Sequence, residues 1–163
     1  MRIKLRTLLN RATECMGNGM NPVVKAAMLE VVKLAYEEGI TVLITLGHRS
    51  FAEQARLYGQ GRTDNSKPIV TYAKAGQSLH NYGLAVDFVI ISEDGRRALW
   101  TESEKWTRVA AIAKSLGFIW GGDFSFYRDI PHLEMSGGLS VRNLQQGWRP
   151  NLISQIADRK GEG

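Results

Sequence analysis

The sequence contains very little cysteine and no long apolar segment. Cys15 is the single cysteine in 163 residues, which excludes an intrachain disulfide and any zinc site built from several cysteines. No apolar run approaches the ~20 residues that a membrane-spanning helix requires. The basic amino-terminal segment is interrupted by Asn10, Arg11 and Glu14. We therefore expect neither a transmembrane segment nor a Sec signal peptide, and a chain of this length buries a core without disulfides.

Concentrated positive charge is also missing. The net charge is +5, from 21 basic and 16 acidic residues, and this balance indicates an anionic partner such as nucleic acid, anionic lipid or an acidic cell-wall polymer. The lysines and arginines are scattered, however, without a basic block or an interleaved aromatic stripe. We therefore expect no nucleic-acid binding.

Three segments are predicted to be helices from their capping residues. They are residues 21–39 (capped by Asn21), residues 51–61 (capped by Ser50 with Glu53) and residues 101–117 (capped by Thr101 with Glu104). Residues 40–46 and 84–91 are rich in β-branched residues and predict buried strands. The segments "GFIW" and "HLEM" are candidate short strands, and residues 61–76 predict a long loop.

Helical and strand signals are mixed without a regular βαβ alternation, and the "EDGR" turn indicates a hairpin. This pattern favours an α+β fold, with a small and mainly antiparallel sheet and flanking helices. We expect one domain over residues 1–150 and a partly disordered tail over residues 151–163. Trp100, Trp106 and Trp148 are expected to pack in the core.

Histidine is scarce as well, and two of the three histidines lie in unusual surroundings. His80 and Asp87 are seven residues apart with Gly83 between them, and His132 follows in "DIPHLEM". Two histidines and one carboxylate leave a fourth tetrahedral position for water, which is typical of catalytic and not structural zinc. Asp129 lies near enough to His132 to act as a general base. On spacing alone, an ordinary polar histidine in a glycine-containing loop remains the alternative.

Three stretches together resemble one known family. "SLHNYGLAVD" resembles the S-x-H-x-x-G-x-A-x-D signature of the zinc peptidases that cut peptidoglycan peptides. "GHRSFAEQARLYGQGR" is similar to the family's aromatic-Arg-Ser segment, and "GFIWGGDFSFYRDIPHLEM" is similar to its closing block. The resemblance covers roughly residues 22–136. It implies the Hedgehog/DD-peptidase fold, which agrees with the α+β expectation.

The resemblance implies zinc ligands at His80, Asp87 and His132, and a catalytic acid/base at Asp129. The D-x-x-H form and "PHLEM" resemble the endopeptidases of phage lysins more than the carboxypeptidases. This implies hydrolysis of L-alanyl-D-glutamate in the stem peptide of peptidoglycan. Glu134, two residues after His132, is left either as an acceptor for a ligand imidazole N–H or as an unrelated ion-pair partner.

Four further positions match the family pattern. Arg49 matches the arginine that supports the oxyanion, and Gln54, Ser78 and Trp120 match positions expected to contact substrate or to brace the cleft. The chain departs from the pattern at His48, where relatives usually have tyrosine or phenylalanine.

Two other functions stay open at this point. One is a D-alanyl-D-alanine carboxypeptidase, and the other is a non-catalytic module that binds the cell wall. For an endolysin of this kind we expect a monomer that is synthesised in the cytoplasm, is released by a partner such as a holin, and acts on the wall.

Overall fold

The computed structural model describes residues 1–156. Within this part, the chain forms five α-helices and four β-strands: α1 (Leu5–Met16), α2 (Pro22–Glu37), β1 (Thr41–Leu46), α3 (Phe51–Gly59), β2 (Ala85–Ile91), α4 (Glu104–Ser115), β3 (Ile119–Trp120), β4 (His132–Glu134) and α5 (Val141–Gln145). Short 3-10 helices occupy Leu79–Tyr82 and Gly121–Asp123. None of the helices in the described part has the length and apolarity needed to cross a bilayer.

The capping residues predicted for α2 and α3 are confirmed. The side chain of Asn21 accepts hydrogen bonds from two backbone N–H groups in the first turn of α2, and the side chain of Ser50 accepts the N–H of Glu53 at 3.0 Å. Helix α4 begins later than predicted. Ser103 is its N-cap and has extended backbone dihedrals (φ −149°, ψ 178°), so the prediction of Thr101 as the cap is wrong.

The four strands form one antiparallel sheet in the order β1-β2-β4-β3. This confirms the expected α+β class with a small antiparallel sheet. The pairing of β1 with β2 is regular from Thr41 to Ile44 and then shifts by one residue before Leu46. Such a bulge bends the strand locally, and here it lies just before residues 47–49, which reach the candidate site.

The core lies between the sheet and helices α1, α2 and α4. Nearly every residue of β2 is buried, and Phe88 of this strand packs on Trp106 of α4 with ring centroids 5.0 Å apart. Trp106 is fully buried, whereas Trp100 and Trp148 are 55% and 59% exposed. The expectation of a core position is therefore wrong for those two tryptophans.

The beginning of the predicted tail is folded onto the rest of the chain. Leu152 and Ile156 are partly buried and pack against the core. Residues 157–163, the remainder of the predicted tail, lie outside the described residues.

Candidate active site

Three secondary-structure elements bring His80, Asp87 and His132 together. His80 lies in the 3-10 helix Leu79–Tyr82, which runs into β2 through Gly83. Asp87 lies on β2 and pairs directly with His132 on β4. Directly opposed residues of an antiparallel pair have neighbouring side chains on the same face. The sheet register therefore places two of the three predicted ligands side by side.

The ligand atoms of these three residues fit a single metal ion. One ligand atom from each residue lies within 4.8 Å of the other two. Asp87 Oδ1 is 3.3 Å from Nε2 of His80 and 3.3 Å from Nδ1 of His132. Two imidazoles and one carboxylate are the donor set of catalytic zinc sites, which keep one position open. The residues present therefore fit zinc.

Each imidazole has a hydrogen-bond acceptor on its other nitrogen. Nδ1 of His80 donates to the backbone carbonyl of Gly47 at 2.9 Å. Nε2 of His132 lies 3.0 Å from Oε1 of Glu134. Such outer contacts fix the orientation of a ligand histidine and strengthen it as a donor to the metal. Of the two roles left open for Glu134, the geometry supports the acceptor.

The cluster has a strong preference for positive charge. Burial by itself raises the pKa of Asp87, but hydrogen bonds from His132 and His80 outweigh burial and hold this pKa far below its usual range. Burial disfavours the protonated form of His132, yet Asp87 and Glu134 together raise its pKa to about 9. Without a metal, a proton on His132 supplies the compensating charge, and bound zinc would replace that proton.

The cluster opens into a cleft of about 330 Å³, whose lining includes Arg49, Ser78 and Asp129 as well as the three predicted ligands. The backbone N–H of Asp129 donates to the carbonyl of Gly121 at 3.0 Å. Burial and the neighbouring charge of Asp87 raise the pKa of the Asp129 carboxyl. A carboxyl with a raised pKa beside a metal site is suited to accepting and returning a proton.

Arg49 is held in the cleft by buried amide side chains. Its Nη1 donates to Oε1 of Gln54 at 2.9 Å, and Nε2 of Gln54 donates to the carbonyl of Ala73 at 2.8 Å. Nδ2 of Asn81 donates to the backbone carbonyl of Arg49 at 2.9 Å. Asn81 was not among the residues predicted from the sequence. The available signal was the spacing Ser78-x-x-Asn81, because the two side chains form a reciprocal capping box.

Two of the three residues expected to contact substrate are buried. Gln54 has no exposed surface and Trp120 is 4% exposed, and the indole N–H of Trp120 donates to the carbonyl of Ile130 at 2.8 Å. Their burial leaves these side chains almost no surface for contact with substrate and favours the bracing role that the resemblance also allowed. Ser78 does line the cleft, although its hydroxyl also accepts the N–H of His80 at 3.3 Å. His48 packs closely over Gly19.

Comparisons with known proteins identify related peptidases. A family model described as D-alanyl-D-alanine carboxypeptidase matches residues 71–135, the range that contains all three predicted ligands and Asp129. The peptidoglycan L-alanyl-D-glutamate endopeptidase CwlK of Bacillus subtilis (strain 168) is 46% identical over 124 residues, which cover 71% of this chain and 73% of CwlK. The L-alanyl-D-glutamate peptidase of Listeria phage A118 is 34% identical over 114 residues, which cover 69% of this chain and 36% of the phage protein.

The fold has relatives among solved structures. The L-Ala D-Glu endopeptidase ChiX of Serratia marcescens superposes with a TM-score of 0.55 at 21% identity, covering 77% of this chain and 86% of ChiX. At that identity the likeness concerns the fold. The match to CwlK extends over most of both sequences, and on that ground this chain belongs to the family of peptidoglycan peptidases that includes D-alanyl-D-alanine carboxypeptidases and L-alanyl-D-glutamate endopeptidases.

Proposed function

We propose that this enzyme hydrolyses the L-alanyl-D-glutamate bond in the stem peptide of peptidoglycan, with a zinc ion held by His80, Asp87 and His132. The observation that carries the proposal is the cleft in which these three side chains meet Asp129 and Arg49. The choice of bond is supported by the 46% identity to CwlK and by the phage relative, both of which are L-alanyl-D-glutamate peptidases.

In this mechanism, bound zinc would supply Lewis-acid polarisation of the scissile carbonyl. Asp129 accepts a proton from the attacking water and returns it to the leaving amine of D-glutamate. The guanidinium of Arg49 donates hydrogen bonds to the oxygen that becomes negatively charged during attack. Gln54 keeps that guanidinium aimed into the cleft, because its own amide is fixed by the carbonyl of Ala73.

Mass spectrometry of digested muropeptides tests the choice of bond. We expect products cut between the first and second residues of the stem peptide, and we expect a chelator to abolish them. Release of the terminal D-alanine alone would instead assign the D-alanyl-D-alanine carboxypeptidase activity that the description of the family model names. Binding to the wall without any cleavage would assign a non-catalytic binding module.

Single substitutions test the metal site. His80→Ala, Asp87→Ala and His132→Ala should each lose zinc and activity together, because three protein ligands leave none to spare. Metal content after dialysis and the rate of peptide hydrolysis are the two measurements. The matched control is Asp64→Ala, which removes an exposed carboxylate from the loop of residues 61–76 and should keep both. A ligand variant with full zinc content and full activity would refute the assignment of that residue.

Both relatives support action at the cell wall, and the phage relative alone supports a bacteriolytic role. The proposed substrate lies outside the cytoplasmic membrane, so the enzyme has to reach that side to act. Release through a holin and a monomeric state stay predictions. Lysis assays with and without a co-expressed holin test the first, and sedimentation velocity tests the second.

A further inference from the structure

The segment between β3 and β4 holds two aromatic side chains out in solvent. Phe126 is 83% exposed and Tyr127 is 96% exposed. Tyr127 also has a φ of 53°, which is the sole positive φ of a non-glycine residue within residues 1–156. A tyrosine in the left-handed region is strained, and strain of this kind concentrates at active sites and ligand clamps.

The base of this segment is firmly held, so the exposure of its tip is not a result of loose packing. The carbonyl of Gly121 accepts hydrogen bonds from the N–H groups of both Phe124 and Asp129, at 3.2 and 3.0 Å. Arg128 donates to the carbonyl of Gly122 at 2.6 Å and makes a two-pronged ion pair with Glu102. The tip is thus presented by a closed loop, which we call the aromatic loop (residues 122–128).

The aromatic loop borders the catalytic cleft. The ring of Phe124 lies against the ring of His132, with centroids 5.9 Å apart. At its other end, the loop leads directly into Asp129, which lines the cleft. A substrate group that extends beyond the cleft on this side would lie next to the aromatic loop.

The chemistry of the proposed substrate identifies that group, and this step rests on the proposed function. L-alanine is the first residue of the stem peptide and is joined to an amino sugar of the glycan strand through that sugar's short lactyl group. One extended residue spans only ~3.5 Å, so a cut after L-alanine brings the sugar to the edge of the cleft. A pyranose ring has an apolar C–H face that stacks on aromatic rings. We propose that Phe126 and Tyr127 form a subsite for the amino sugar that carries the stem peptide.

The test compares hydrolysis of two substrates by the full chain loaded with zinc. One is a disaccharide-linked stem peptide, and the other is the same peptide after the sugars have been removed. We expect the natural enzyme to prefer the sugar-linked peptide in kcat/KM. Phe126→Ala/Tyr127→Ala should reduce that preference by about tenfold, the scale of losing one or two ring contacts, and should leave kcat/KM on the free peptide unchanged.

Two further variants distinguish the contribution of the aromatic rings to the preference from that of the strained backbone. Tyr127→Gly removes the strain at positive φ, so it should melt at the same or a higher temperature and still lose part of the preference. Ile153→Ala is the matched control, because Ile153 is an exposed apolar residue (80% exposed) that lines a different cavity with Gly117 and Ile119. It should keep the full preference.

The remaining outcomes overturn the subsite. It is refuted if the natural enzyme hydrolyses both substrates equally well, or if the double variant loses activity equally on both. It is also refuted if the double variant keeps the sugar preference but loses sedimentation with vesicles of anionic phospholipid, which would assign the aromatic tip to a lipid surface. If the natural enzyme cuts neither substrate after L-alanine, the proposed function itself fails, and the subsite fails with it.

Discussion

Among single residues, Asp87 has the central place in the site. Its carboxylate lies between the two imidazoles, 3.3 Å from each, and it is the reason that the cluster prefers a proton or a metal ion. The carboxylate of Glu134 adds further negative charge beside the other ring nitrogen of His132, with Oε1 3.0 Å from Nε2. Asp129 has a different environment: it lines the cleft, and burial and the charge of Asp87 raise its pKa. Carboxyl groups in such unequal surroundings take different chemical roles.

The first prediction separates the general base from the residues that hold the metal. Asp129→Asn should keep about one zinc per chain, because the three ligands are untouched, while kcat falls ~100-fold or more. KM should change little, since the proton moves in the transition state. Steady-state kinetics and metal analysis on the same preparation check this.

Glu134→Gln is the comparison for that variant. It weakens the acceptor behind His132, so it should lower zinc affinity by about 10-fold or more while kcat at saturating zinc stays within a few-fold. Loss of zinc from Asp129→Asn would make Asp129 a ligand. Full activity of Asp129→Asn would transfer the role of base to another group.

At the scale of elements, α3 connects Arg49 to the loop of residues 61–76 through Gln54. Gln54→Leu leaves the guanidinium of Arg49 and the carbonyl of Ala73 without this partner. We expect a loss of about 2 kcal/mol in the free energy of unfolding and a fall of about tenfold in kcat, because Arg49, the proposed oxyanion donor, is no longer oriented. Denaturant unfolding and peptide hydrolysis measure the two effects.

Glu53→Ala, on the exposed side of the same helix, is the control for Gln54. It removes a surface ion pair with Arg56, which is worth only a few tenths of a kcal/mol. Equal effects at the two positions would show that Gln54 stabilises α3 without orienting Arg49.

The turn that joins the helix of His80 to the strand of Asp87 depends on a glycine. Gly83 has φ 68°, and a Cβ there would meet the carbonyl oxygen of Gly19 at 2.2 Å. Gly39 has a similar φ of 84° but open space around it. Gly39→Ala should therefore cost about 1 kcal/mol from backbone strain alone. Gly83→Ala should cost at least about 3 kcal/mol and should also weaken zinc binding. Equal thermal shifts for the two variants would contradict the close packing at Gly83.

For the whole molecule, the site couples folding stability to pH. The pKa of His132 is about 9 in the metal-free fold, above the ~6.5 of an unfolded histidine. The folded state thus holds this proton more tightly, and the resulting stability is fully present below pH ~6.5 and is lost as pH rises through about 9. We expect chelator-treated protein to lose up to about 3 kcal/mol of stability across this window.

The pKa of Asp87 is shifted in the opposite direction and affects folding stability at low pH. Its pKa is lowered in the fold, so its contribution is present above the unfolded value of ~3.9 and is lost as pH falls below it. Denaturant unfolding of the chelator-treated protein from pH 3 to 10 measures both the loss of stability at high pH and the loss at low pH. In zinc-loaded protein, His132 is a neutral ligand, so the loss between pH ~6.5 and 9 should disappear. If zinc-loaded and chelator-treated protein lost the same stability between pH ~6.5 and 9, the loss would come from groups other than His132.

The sequence by itself predicted helices α2, α3 and α4, the four strands and the identities of the candidate ligands. Capping by Asn21 and Ser50 involves groups that lie within a few residues of one another. It can therefore be predicted from the sequence without knowledge of the fold. The strand positions follow from short apolar runs in the same way. The spacing of His80, Asp87 and His132 left an ordinary loop histidine as an alternative, and the resemblance of three stretches to a known peptidase family is what indicated a metal site.

Only the tertiary structure decided how these residues are oriented. The hydrogen bond from His80 to Gly47 joins residues 33 positions apart, and the contact between Asp87 and His132 joins residues 45 positions apart. Both depend on the register of the sheet and on the packing of the 3-10 helix, which no local pattern encodes. The same long-range packing decided the burial of Gln54 and Trp120, which sequence had left as residues that either contact substrate or brace the cleft.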